Sequence, residues 1–143
     1  LFKYSTFLSA VFAMQTKGIF MEEKIKLLLE QIGRPYEMFN KDGTYQGCFY
    51  PLQFLYPDIK KYKLRSENNQ KNYVYGMAKM KKYFTEIAPS ELQAGDIITT
   101  KYKDALHIAV YLEFGKIIHV FKGHKLQIGR LKMFNEFQSY RVK

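Results

Sequence analysis

Apolar positions follow a helical spacing early in the chain and a strict alternation late in it. Ile25, Leu28, Leu29 and Ile32 obey the i, i+3, i+4, i+7 rule, and Gly33 stands where a helix C-cap belongs, so an amphipathic helix is expected there. Residues 37–47, with Asn40, Asp42, Gly43 and Gly47, read as a loop that delivers the chain to Cys48. Proline suits the first turn of a helix, so Pro51 predicts a short helix beginning around Phe49 to Pro51. Residues 58–90 are polar and basic, with a loop over 66–71, a moderately periodic helix over 73–84 and no site assigned to them. From there the period is two: strands are expected at 96–102, 105–112, 116–121, 126–131 and 139–142, joined by short turns such as Glu113-Phe114-Gly115. The fold class is therefore α+β, with N-terminal helices packed on an antiparallel meander of about five strands.

At 143 residues the chain has the length of one ordinary domain, placed at 21–143, with residues 1–20 as an N-terminal segment of uncertain role. Within that segment, residues 6–14 are apolar behind Lys3. They are too few to span a bilayer, and a signal-peptide remnant, a core helix and a docking strand all fit them. No transmembrane segment is expected.

One cysteine excludes an internal disulfide, and three histidines, His107, His119 and His124, are too few for a usual structural zinc site, so no metal or cofactor is expected. Cys48 is then either a small buried hydrophobe or a nucleophile served by a distant histidine. A position at a helix N-terminus favours thiolate over thiol. Alternation places His107 on one strand face with Ala109 and Tyr111, and His119 with Ile117 and Phe121 on the next strand. Directly opposed residues on adjacent strands stand about 5 Å apart, so the two imidazoles can hydrogen-bond. A helix carrying Cys48 against that sheet completes a cysteine, a base and an orienting group. His124, beside Gly123, reads as an exposed turn residue without a role.

Twenty-three Lys and Arg against 13 Asp and Glu give a net charge of +10, which favours polyanionic partners. The densest run is Lys60, Lys61, Lys63 and Arg65, and no nucleic-acid-binding motif accompanies it, so nucleic acid is not expected as a partner.

Several motifs together resemble the NlpC/P60 cysteine peptidases, which cut peptidoglycan stem peptides on a papain-like fold. The Gly33, Pro35 and Tyr36 turn resembles the family's Gly-x-Pro-Tyr entry, and Leu92 with Gly95 and Asp96 its Leu-x-x-Gly-Asp strand start. His107-Ile-Ala-Val-Tyr-Leu, then Gly115 and Ile118-His119, resemble its two histidine strands, in the family's order Cys, His, His. The resemblance implies Cys48 as nucleophile, His107 as general base, His119 as the third polar residue and Tyr36 as a wall of the active site. It implies a D-glutamyl-diamino acid bond as target, an anionic envelope polymer as partner, a monomer, and a location outside the cell, in the envelope or in a phage virion. Around the nucleophile the family reads Asp-Cys-Ser-Gly or Asp-Cys-Trp-Gly, whereas this chain reads Gly47-Cys48-Phe49-Tyr50. Tyr56, residues 127–131 and residues 140–142 resemble the branch associated with phage tails. A thiol amidase or acyltransferase on another substrate, and a catalytically silent basic binding or tail-assembly module, are the alternatives.

Overall fold

A computed structural model describes residues 20–65 and 70–143, the side chains of residues 70–72 excepted. The apolar segment 6–14 and residues 66–69 of the expected loop lie outside the described residues. The first helix, α1, occupies residues 20–29. A single-turn 3₁₀ helix at Gly47–Phe49 runs into α2, Tyr50–Leu55, and a further 3₁₀ segment at Pro57–Tyr62 leads toward α3, Gln70–Tyr83. Six strands follow: β1 Phe84–Ile87, β2 Ile97–Tyr102, β3 Ala105–Tyr111, β4 Lys116–His119, β5 Gln127–Arg130 and β6 Gln138–Val142.

All six form one antiparallel sheet in the order β1-β6-β2-β3-β4-β5. The α+β class and the antiparallel sheet are as expected, with β2 to β5 forming the meander and one strand added to the five. The extra strand, β1, follows α3 with no glycine or proline between them and alternates for only four residues, a signal too short to separate from a helix end. The last strand returns to lie between β1 and β2, a long-range pairing that no local pattern announces. Gln70 and Lys71, expected in a loop, open α3 instead.

Alternation along β3 sorts its side chains. Leu106, Ile108 and Val110 enter the larger core with Leu28 of α1, Phe49, Leu52 and Leu55 of the α2 region, and Met77 and Met80 of α3. Ala109 joins Ile98 and Ile117 in a smaller cluster on the other face, covered by Leu131, Phe134 and Phe137. Ile32, expected on the buried stripe of the first helix, is 46% exposed. Hydrogen bonds from Gln31 to Leu28 and from Ile32 to Leu29 tighten the chain to a three-residue repeat, which turns Ile32 off the stripe.

The sheet is pinned at the start of β2 by Asp96, whose carboxylate accepts from Arg141 Nε (2.9 Å) and Nη2 (2.8 Å) and from the Gln93 N–H (2.8 Å). The Asp96 side chain is 5% exposed, so removing the acid strands a turn amide and leaves Arg141, 36% exposed, only its bond to the Glu91 carbonyl (2.9 Å). Asp96→Ala is therefore expected to destabilise the fold by about 2–4 kcal/mol, read as a lower urea midpoint at unchanged m-value.

Candidate active site

Cys48 sits in the 3₁₀ turn that feeds α2, with Pro51 in that helix's first turn, close to the expected start. Gly47 before it has φ +50°, and a Cβ at that position would lie 2.5 Å from Tyr45 Oη. A side chain is thus excluded there both by backbone conformation and by the Tyr45 ring. The thiol is buried, with Sγ 3.7 Å from the Leu106 carbonyl oxygen. His107, the next residue of β3, turns to the other face of the strand; both residues border one cleft of about 490 Å³ at the start of that strand.

His107 Nε2 lies 2.9 Å from His119 Nδ1. The pairs Val110↔Ile118 and Tyr111↔Ile117 set the register, which places His119 beside Ala109 and Phe121 beside His107. The histidines are therefore diagonal neighbours, not the directly opposed pair expected from sequence, and their ring lengths close the gap. Phe121 stacks on His107 at 4.2 Å and 11°, and Phe134 stands edge-on to both imidazoles at 5.8 and 6.0 Å.

Burial, reinforced by the neighbouring His119, pushes the pKa of His107 down to about 3, and burial pushes that of His119 down to about 4. Both rings are neutral at pH 7. With Nε2 engaged by His119, Nδ1 is the His107 nitrogen left to serve as a base toward a thiol.

Tyr36 lines the cleft, its hydroxyl 3.5 Å from that of Tyr45. Burial raises its pKa, the Tyr45 hydrogen bond opposes that rise, and the nearby Cys48 adds to it. Sequence reasoning missed several walls. Arg65 comes from the stretch to which no site was assigned, with its guanidinium 5.3 Å from the Tyr45 ring centre, and Tyr102, Lys103 and Lys122 come from hairpin ends. His124 is exposed as expected, yet it too borders the cleft. Phe121 was legible, since alternation with the right register puts it across from His107.

The sequence profile of the NlpC/P60 family matches residues 33–141. The chain belongs to the NlpC/P60 family. No curated protein sequence matches it. Among solved structures, an NLP/P60-family protein from Staphylococcus aureus, described as similar to a lipoprotein, superposes with a TM-score of 0.55 at 22% identity, over 86% of this chain and 41% of that one. The chain thus spans less than half the length of that relative. The NlpC/P60 domain of the peptidoglycan hydrolase SagA gives a TM-score of 0.57 at 20% identity, over 85% of this chain and 98% of that domain. RipD from Mycobacterium tuberculosis, described as a non-catalytic NlpC/P60 protein adapted to peptidoglycan binding, gives 0.54 at 19%, over 87% and 96%. At these identities the structures establish the NlpC/P60 fold.

Against the NlpC/P60 pattern, Gly47 stands where the family reads Asp, and Tyr45 occupies the space that a side chain there would need. Tyr56 donates to the Gly95 carbonyl (3.0 Å), a contact that ties the end of α2 to the entry of β2.

The His119 ring depends on a second close approach. A Cβ at Gly129 of β5 would lie 2.9 Å from His119 Nε2, and the ring is buried and held through Nδ1, so it cannot swing away freely. Gly129→Ala is expected to shift His119 and, if His107 is the base, to lower kcat about tenfold with KM little changed. Steady-state kinetics on one substrate checks this.

Proposed function

We propose that this NlpC/P60 domain is a thiol hydrolase of peptidoglycan stem peptides, with Cys48 as nucleophile, His107 as general base and His119 orienting that base. The observation that carries the reading is the 2.9 Å Nε2···Nδ1 contact between two neutral, buried histidines, one of which shares a cleft with the buried thiol.

In this reading His107 Nδ1 takes the Cys48 proton as the sulfur attacks the amide carbonyl. The Nε2–H donates to His119 throughout and keeps the ring in the tautomer with its lone pair on Nδ1. The Phe49 N–H is committed to the Gln46 carbonyl (2.9 Å), so we assign the oxyanion to the Cys48 N–H. His107 then protonates the leaving amine as the C–N bond of the tetrahedral intermediate breaks to give the acyl-enzyme, and next activates the water whose attack on the thioester frees the acid product and the thiol. No cofactor takes part.

Arg65, Lys103 and Lys122 border the cleft and, among the described residues, no acid lines it, which suits a carboxylate-bearing stem peptide cut between D-glutamate and the diamino acid. A D-glutamyl-diamino acid endopeptidase working outside the cell, in the envelope or on a phage particle, is the form of this activity that we favour. The altered Gly47-Cys48-Phe49-Tyr50 flank, and a structural neighbour described as a non-catalytic peptidoglycan binder, favour a silent binding module as the second reading.

Mass spectrometry of purified peptidoglycan fragments, incubated with the protein before and after iodoacetamide treatment, separates the two. Cleavage that alkylation abolishes supports the hydrolase. Absence of cleavage across several wall types, with a thiol inert near neutral pH, leaves the binding module.

A further inference from the structure

A second and larger cavity, of about 930 Å³, opens on the far side of Tyr102, the residue that lines both it and the Cys48 cleft. It forms where β2 loses a neighbour. β6 pairs with β2 only as far as Thr99↔Gln138, and residues 133–137 lie away from β2, tied back through Thr100 Oγ1, which donates to the Glu136 carbonyl at 2.7 Å.

The two cavities differ in chemistry. Among the described residues the cleft gathers Arg65, Lys103 and Lys122 without an acid. The second cavity has one charge of each sign among its walls, Lys101 and Glu136, and Lys101 is already drawn to Asp104 (3.7 Å) and to the Tyr73 ring (5.3 Å). The rest of its surface offers aromatic rings from Tyr102, Phe134 and Phe137 beside the amides of Asn135 and Gln138. Tyr102 is 43% exposed, so part of its ring is open to a ligand.

A ligand matched to those walls is neutral, presents apolar C–H faces to the rings, and carries hydroxyl and amide groups for the Asn and Gln side chains. An N-acylated amino sugar has this combination; a carboxylate-rich peptide does not. We propose that the second cavity is a glycan subsite, holding the sugar strand of the polymer while the attached peptide crosses Tyr102 to reach Cys48. The choice of polymer rests on the proposed function, but the subsite does not depend on cleavage.

Nitrogen-15 NMR titration of the whole chain with the N-acetylglucosamine tetramer tests it. The expected result is chemical-shift changes at residues 100–102 and 135–138. Asn135→Ala, at an exposed position, is expected to weaken that binding by about fivefold, the loss of one or two hydrogen bonds. If the protein cleaves, the same variant leaves kcat/KM on a sugar-free stem peptide unchanged and raises KM on intact polymer by a similar factor. Shifts that are absent at saturating sugar, or confined to the Cys48 cleft, overturn the subsite whether or not cleavage occurs. Equal KM changes on peptide and polymer overturn it as well.

Discussion

Replacing Cys48 or His107 by alanine is expected to lower stem-peptide cleavage by about 10³-fold or more, while the folded state survives. The two losses have different origins. Without Cys48 there is no nucleophile to form the acyl-enzyme, and the substitution leaves only a small cavity beside Leu106, costing roughly 1 kcal/mol. Without His107 nothing takes the thiol proton as the sulfur attacks, and the amine leaves unprotonated. On the proposal that the two side chains act as one unit, the double variant should be no slower than either single one, a non-additivity that two independent contributions would not produce. His119→Ala should cost less than His107→Ala, since it removes the ring's orientation and not the base. The kinetics of all four variants, with circular dichroism as the check on folding, decide the matter. If the double variant falls well below both singles, the residues do not form one catalytic unit.

Acidification is expected to weaken the fold before most carboxylates titrate. The two histidines, with an ordinary value of 6.5, are held down to about 3 and about 4 in the folded protein, chiefly by burial. In the unfolded chain they return to about 6.5. Between pH 6.5 and about 4 the unfolded state therefore binds more protons than the folded one, and stability falls as pH falls. Each histidine contributes up to about 1.4 kcal/mol per pH unit, so a drop from pH 6.5 to 5 removes roughly 2–4 kcal/mol from the pair. Urea unfolding at those two pH values should show this loss in the wild type. A His107→Gln/His119→Gln double variant should lose much less. Equal slopes in the two proteins would mean that the imidazoles are not held neutral by burial. The same depression keeps His107 unprotonated well below pH 6.5, so the acid limb of activity should lie below the pH of a free imidazole.

Much of the site could be read before any fold was known, because the relevant signals are local. Period-two alternation assigns His107 and His119 to their strand faces, and Pro51 marks the start of α2 just after Cys48. The short hairpin between β3 and β4 then brings the two histidines within reach, whether opposed or diagonal. Motifs of a few residues, from the Gly33, Pro35 and Tyr36 turn to the Asp96 strand start, carried the family likeness for the same reason.

What sequence could not decide depends on contacts between distant segments. The place of β6 between β1 and β2 depends on pairings such as Ile97↔Tyr140, more than forty residues apart in the chain, for which no local periodicity exists. The diagonal register of the histidines comes from the hairpin geometry, and the stacking of Phe121 on His107 and the edge-on approach of Phe134 to both rings from packing on the smaller sheet face. The cleft joins Arg65, Tyr45, Tyr102 and His124, four segments with no common pattern, and Gly47 and Gly129 explain themselves only once Tyr45 and His119 are seen against them. Amino-acid pattern thus determined which residues are the candidates for the chemistry and which way each strand faces. Tertiary packing alone decided how they meet, because close approach between remote parts of a chain leaves no trace in the spacing of either part.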